Sequence, residues 1–348
     1  MTQFLKDIER QPRDLVRCVQ HHAGPGRDTL MDAAARVANA SCVIITGMGS
    51  SWYAGWAVLS FFQRRGMRAH LVESSELVHF ASIPEGAAII FLSRSGASIE
   101  TIHLLEHARQ AKADIVAVTN TPDSPLGAAA DVILDMVAGF DNNVSASMYS
   151  ALTLVGGLLA EAVTTEISID ERALHLVESL TATGERLPAW QQKITGHDWF
   201  SADAHVYFLA RGGSLACCYE AELLWEEAAK TPATAMPTGT FRHGPQEIVG
   251  TGINGGMWLD RDCLRDEDLA LANDMRSQGM RIMLIGQDIP DNAGDLIFNL
   301  PSIDASWQFL TGIIPAQLAA EHLSQLRGAD CDNFRHCSYV VDSEGGMS

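Results

Sequence analysis

Hydrophobic and polar positions fall into successive regimes along the chain. Over residues 1–40 apolar side chains recur at helical spacing, with Leu15, Val16 and Val19 and then Leu30, Ala34 and Val37. That segment is expected to be helical. Short apolar runs then take over: Cys42–Thr46, Ala69–Glu73, Ala88–Leu92, Ile115–Thr119 and Val132–Met136. Stretches of helical character separate them, as at Trp52–Arg65 and Ser98–Ala111. Continuous apolar strands alternating with helices predict a parallel sheet covered on both faces. Met148–Glu161 and Ile169–Gln192 read as long helices, and Thr195–Asp203 as a linker.

The pattern then restarts. Val206–Ala210, Ala233–Met236, Gly256–Leu259, Ile282–Ile285 and Leu296–Leu300 are expected strands. Ser214–Lys230, Asp266–Gln278 and Trp307–Leu326 are expected helices, followed by a polar turn and a closing segment, Tyr339–Val341. Setting Gly49 on Gly212 aligns Ile44–Gly49 with the run ending Phe208–Gly212, an offset of 163 residues. Near that offset Glu76–His79 faces Thr240–His243, and Leu159–Glu161 resembles Ala319–Glu321. Two doubly wound α/β units in tandem, produced by internal duplication, are therefore expected. The implied division is a helical segment at 1–40, an α/β domain at 41–165, a helical linker at 166–203, and a second α/β domain with a C-terminal tail at 204–348.

Composition narrows the partners. With 43 acidic against 24 basic residues the net charge is −19. Such a chain repels polyanions, which argues against nucleic acid and anionic membrane. A small phosphorylated ligand is still allowed, because backbone N–H groups can build a local anion site. The apolar stretch Ala151–Ala160 ends at Glu161, short of a membrane span, and the N-terminus is polar without a signal-peptide core. Seven cysteines without a Cys-x-x-Cys pair read as reduced thiols in a cytoplasmic protein. Cys331, His336 and Cys337 lack zinc spacing, so no metal is expected.

Three places carry candidate chemistry. Gly47-Met48-Gly49-Ser50-Ser51-Trp52 follows a strand and opens a helix. As a dinucleotide fingerprint it fails at the third glycine, where Trp52 opposes close helix–strand packing. Ser50 and Ser51 instead offer hydroxyls at the carboxyl end of the sheet. Ser93-Arg94-Ser95-Gly96-Ala97-Ser98 is the sharper motif. Unpaired N–H groups and the helix dipole favour an anion at a helix start, the serines add donors, Gly96 lets the backbone approach, and Arg94 adds charge. A single N-cap would need only one of those serines. Glu220 and Glu227 lie two turns apart on one helix, Glu222 and Glu226 read as a solvated face, and His243 precedes Gly-Pro in a loop.

Together these residues resemble the sugar isomerase (SIS) family, over roughly residue 40 to the end. In motif order the resemblance is to the isomerase domain of glucosamine-6-phosphate synthase, with two SIS domains in tandem. Ser93-Arg94-Ser95-Gly96 is similar to its Ser-Gln-Ser-Gly phosphate loop, and Gly49-Ser50-Ser51 to its Gly-Thr-Ser. Phe208–Pro245 and Pro315–Arg335 align without gaps. The resemblance implies flavodoxin-like SIS domains with helices on both sheet faces. It places Ser93, Ser95 and Ser98 on phosphate, Arg94 at the family's glutamine, and Ser50 and Ser51 on sugar hydroxyls and phosphate. It puts Val144 and Ser145 in the loop closing over the sugar, with the family's serine nearer Ala146. Glu227 falls on the carboxylate that shuttles a proton between C1 and C2. His243 falls on the ring-opening histidine, which implies a homodimer with a shared site.

The sequence also departs from that family. Leu224 and Tyr339 stand where the synthase has lysines, and the four lysines here (Lys6, Lys112, Lys193, Lys230) lie elsewhere. No glutaminase domain is present in this sequence, so glutamine is not the expected nitrogen source. A carboxylate and a histidine still suffice for aldose–ketose isomerisation. An amine already on the substrate can supply an imine. The expected function is a sugar-6-phosphate isomerase, or a deglycase or deaminase of an aminated sugar 6-phosphate, without a cofactor. The alternative is a sugar-phosphate-sensing protein that no longer turns over; a nicotinamide dehydrogenase rests on the glycine motif alone.

Overall fold

A computed structural model describes residues 1–165 and 167–347. The chain divides into two compact units. The first comprises Arg10–Glu178 with Phe334–Ser348, and the second Met1–Glu9 with Ser179–Asn333. Helices α1 (Gln3–Ala23) and α8 (Ile169–Ile194) each contribute to both. The N-terminal helical segment is thus not a body of its own in this division, and the tail past Phe334 belongs with the first unit.

The first unit continues with α2 (Arg27–Asn39), β1 (Val43–Thr46), α3 (Ser50–Arg64), β2 (Ala69–Leu71), α4 (Ser74–His79), β3 (Ala88–Leu92), α5 (Ile99–Gln110), β4 (Asp114–Thr119), α6 (Pro125–Ala129), β5 (Val132–Asp135) and α7 (Ser147–Thr164). Its five strands are parallel in the order β2-β1-β3-β4-β5. β1 and β3 are buried at every position. That follows from their unbroken Val/Ile character, because both faces of an all-parallel sheet are covered. Ile44, Ile89, Phe91, Ile115 and Ala117 pack with Leu77, Leu104, Leu105 and Leu126 on one face. The alternate residues Val43, Ile45, Ile90, Val116 and Val118 point the other way and are buried as well.

Helix α7 corrects one expectation. Its apolar run continues to Thr164, so by length and composition it is long enough to cross a membrane, yet 83% of it is buried within the fold. It is a core helix. Glu161, near its end, is paired with Arg172 at 2.7 Å, both side chains almost wholly buried.

The second unit contains β6 (His205–Ala210), α9 (Leu215–Glu227), β7 (Ala233–Pro237), α10 (Thr238–Phe241), β8 (Ile253–Trp258), α11 (Arg265–Ser277), β9 (Arg281–Gly286), β10 (Leu296–Asn299), α12 (Gln308–Gly312) and α13 (Ile314–Arg327). Its strand order, β10-β9-β8-β6-β7, is that of the first sheet read from the other edge. The registers also correspond. Val43 pairs with Ala69 and Ala88, and Val206 with Ala233 and Asn254. Ala88 pairs with Asp114, and Asn254 with Arg281. Gly49 and Gly212, matched by the 163-residue offset, have φ of +50° and +54°. Each unit is a doubly wound, flavodoxin-like parallel sheet.

Candidate active site

In the order 2-1-3-4-5 the chain direction of the winding reverses between β1 and β3. Ligands of open α/β sheets bind outside the carboxyl ends of the strands at such a point. The first unit places two of the candidate motifs there. Gly47 ends β1 beside β3: a Cβ on it would lie 2.8 Å from the Leu92 carbonyl oxygen. Gly49 turns with φ +50° and ψ −125°, and Ser50 and Ser51 open α3 half-buried. Such a turn admits glycine and little else.

The loop after β3 is built from its own side chains. The Ser93 hydroxyl accepts from Gly96 N at 3.0 Å, and the Ser95 hydroxyl from Ala97 N at 3.3 Å. Ser98 precedes α5 at its N-cap but makes no capping bond, and its hydroxyl pairs with Thr101 Oγ1 at 2.7 Å. Gly96 has φ +60°, accepts at its carbonyl from Leu126 N at 3.1 Å, and packs against Ser124, whose Oγ a Cβ would meet at 2.1 Å. Three serines with a helix start behind them suit a tetrahedral anion.

Arg94 is engaged elsewhere. It donates to the Asn143 carbonyl at 3.4 Å and the Tyr339 carbonyl at 3.1 Å, and its guanidinium lies 3.8 Å from the Tyr339 ring centroid. The Arg94 carbonyl accepts from the Thr119 and Thr121 hydroxyls. The segment that carries Val144 and Ser145 therefore meets the serine loop through Asn143. Val144 and Ser145 themselves are 2% and 9% exposed, and the Ser145 hydroxyl accepts from Tyr149 N at 3.1 Å. Asp141 was not singled out by sequence. Its buried carboxylate accepts from Ala146, Ser147 and Met148 N at 2.7–3.2 Å and pairs with Arg10, so it fixes the loop against the start of α7.

In the second unit Glu227 is the half-buried last residue of α9. Leu224, one turn earlier, is fully buried in the core. Lys230, at φ +54°, turns its ammonium onto the Glu227 carbonyl and onto the Asn333 carbonyl at 3.0 Å. A cation there satisfies the end of the helix. His243 is exposed, with its backbone N–H on the Thr240 carbonyl at 3.0 Å. Glu222 is not on a solvated face: it is half-buried and accepts from Ala235 N of edge strand β7 at 3.0 Å. Burial pushes its carboxyl above the ordinary range, and does the same to Glu226. Glu220 is buried.

The switch point of the second unit is furnished differently. Leu259 takes the place of Ser93, since its N–H meets Ile285 O of β9 as Ser93 N meets Val118 O of β4. The following turn is held by the Asp260 carboxylate, which accepts from Asp262 and Cys263 N. Arg211 is locked in a bidentate bond to buried Asp268 at 2.8–3.0 Å. Leu259, Arg261 and Leu264 stand where the first unit has Ser93, Ser95 and Ser98, and the turn carries the carboxylates of Asp260 and Asp262, which disfavour an anion. Among the described residues no group of three or more His, Cys, Asp or Glu is arranged to hold a metal ion, and the seven cysteines stand as thiols outside any disulfide.

Comparison with known proteins agrees with this fold. Residues 36–162 match the family profile described as SIS domain. The glutamine–fructose-6-phosphate aminotransferase [isomerizing] of Thermococcus kodakarensis is 24% identical over 358 residues, covering 98% of this chain and 58% of that protein. The chain thus spans less than two thirds of the curated relatives it matches. The structure of the C-terminal domain of glucosamine-fructose-6-phosphate aminotransferase from Francisella tularensis superposes with a TM-score of 0.86 at 18% identity, covering 95% of this chain and 97% of that one. Glucosamine-6-phosphate deaminase from Thermotoga maritima superposes at 0.81 with 19% identity, covering 98% and 100%. The chain carries a SIS domain over residues 36–162, and along nearly its whole length it is similar to part of the aminotransferases.

Proposed function

We propose that the protein is a phosphosugar enzyme: an aldose–ketose isomerase of a sugar 6-phosphate, or a deglycase or deaminase of an aminated sugar 6-phosphate. The observation that carries this reading is the Ser93–Ser98 loop, self-braced at the switch point and running into α5. The SIS match over that segment and the sugar phosphates named for its relatives support it.

In this reading Ser93, Ser95 and Ser98 hold the phosphate, Ser50 and Ser51 contact phosphate and sugar, and the Val144–Ser145 segment backs the pocket. His243 donates a proton to the ring oxygen as the O1 proton leaves. Glu227 takes the C2 proton and returns it to C1 while the hydroxyl proton passes from O2 to O1, so that the enediol collapses to the ketose. With a 2-amino aldose the same transfer gives a 2-imine, which water hydrolyses to ketose and ammonia. Leu224 and Tyr339 in place of the family lysines favour a substrate that carries its own nitrogen. The exposed position of His243 is compatible with action on a partner subunit in a homodimer.

The test is a thermal-shift screen against hexose, amino-sugar and fructosamine 6-phosphates with NAD as control, followed by NMR turnover. Glu227→Gln is expected to lower turnover about 10²–10⁴-fold while binding stays within a few-fold. Retained turnover removes Glu227 from its role, and no stabilisation by any phosphosugar removes the whole reading. The buried Leu224 also supports a second reading, a sensor. Tight binding by wild-type protein with no turnover would select it.

A further inference from the structure

The C-terminal segment of the first unit touches the serine loop and its surroundings at three points. Tyr339 offers its carbonyl and its ring to Arg94. Val341 offers its carbonyl to Ile99 N at 3.1 Å. Glu344 accepts from His79 of α4 at 3.2 Å and from His103 of α5 at 3.0 Å. Ile99 is the first residue of α5, so its N–H has no acceptor inside the helix. The tail carbonyl supplies one. Segment 339–344 is therefore laid along the loop from its second residue to the helix start behind it.

An arginine inside a phosphate loop is ordinarily a charge for the phosphate. Arg94 instead spends two N–H groups on neutral carbonyls and one face on an aromatic ring. A planar fork that can donate and stack at once suits this task, and a lysine does not. We infer that Arg94 is a positioning residue: it docks the 339–344 strap over the Ser93–Ser98 loop, and the strap, rather than the guanidinium charge, determines which phosphate esters the loop accepts. Inorganic phosphate needs the loop alone. A phosphosugar brings a second body that has to share the loop mouth with Tyr339 and Val341. The inference rests on the phosphate reading of the loop given above.

The amide of Ile99 reports the strap directly, because Val341 is its acceptor. Hydrogen exchange by NMR in ligand-free protein is compared for wild type, Arg94→Gln and Tyr339→Ala. Both substitutions lie on half-exposed side chains and leave the core untouched. Ile99 exchange is expected to rise about tenfold or more in each, as local opening becomes cheaper. Calorimetry with inorganic phosphate and with glucosamine 6-phosphate then separates the two roles. Phosphate affinity is expected to stay within about twofold in Arg94→Gln, while phosphosugar affinity changes about fivefold or more. Unchanged Ile99 exchange together with a large loss of inorganic phosphate affinity would make Arg94 a direct ligand and overturn the inference. Wild-type protein that binds neither phosphate nor any phosphosugar overturns the functional reading, and with it the strap's part in selection, even if Ile99 exchange depends on Arg94.

Discussion

Gly96→Ala probes the serine loop where its geometry is least forgiving. The residue sits at φ +60°, and a left-handed conformation costs an alanine about 1–2 kcal/mol. The added Cβ would lie 2.1 Å from Ser124 Oγ, 2.8 Å from Ser124 Cβ and 3.1 Å from Leu126 Cβ. Rotating the hydroxyl relieves only the first contact, so the start of α6 has to move. Ser124 caps α6 by accepting from Gly127 N at 3.2 Å, and losing such a cap costs about 1 kcal/mol. Alanine also stiffens the unfolded chain, which returns about 0.4–1 kcal/mol. The net expectation is a loss of about 2 kcal/mol. For a unit of this size that lowers the melting temperature by roughly 4–8 °C. Urea denaturation gives the free energy, and calorimetry with inorganic phosphate gives the cost to the loop, expected at about tenfold in affinity because the loop's donors shift with α6. A variant within about 0.5 kcal/mol of wild type, with phosphate binding intact, would show that Ser124 and α6 yield freely and that the loop is not held by this contact.

Three further outcomes are expected. His22 is 1% exposed, with Nε2 on the Asp135 carbonyl at 3.0 Å, and burial pushes its pKa down to about 4. The unfolded chain then takes up a proton near pH 6.5 that the native state refuses, so stability is full at pH 7 and falls by about 3 kcal/mol as the pH drops from 6.5 to 4; His22→Asn should flatten that part of the pH profile in urea titrations, and an unchanged slope would refute the assignment. Arg172→Met strands the buried Glu161 carboxylate and should cost about 3–5 kcal/mol in denaturation experiments, most of it recovered on adding Glu161→Leu. If His243 serves the partner's site, mixing inactive Glu227→Gln and His243→Ala proteins should restore about a quarter of wild-type turnover, because half of the dimers are mixed and each has one intact site; no recovery after subunit exchange would place both groups on the same subunit.

The inner strands β1, β3, β4, β6 and β9 were legible in sequence because both of their faces are largely buried, so hydrophobic runs mark them almost residue for residue. β8 is the exception. Gly255 and Gly256 blur its run, because a side chain at Gly256 would strike the Phe208 ring, and the expected strand began three residues late. Helices α4, α6 and α10 have four to six residues, too few for periodicity to show. The serine loop was legible because its hydroxyls act within five residues of one another. Asp141 was not, because its carboxylate reaches N–H groups five to seven positions ahead, outside the spacing of an ordinary cap. The engagement of Arg94 was hidden for the same reason on a larger scale: its partner Tyr339 lies 245 residues away. Glu222 read as solvated because a helix position alone does not show that an edge strand needs an acceptor there.

The carboxylate-held turn at Asp260 has a consequence for stoichiometry. A duplicated fold begins with two equivalent ligand sockets per chain, and here one of them has lost its three hydroxyls to Leu259, Arg261 and Leu264 and braces its turn with an acid. Titration with phosphate should saturate at one equivalent per polypeptide. On the proposed phosphate reading the two copies are then under different constraints: the first has to keep its serines, while the second is free to change its turn as long as the sheet beneath it stays intact.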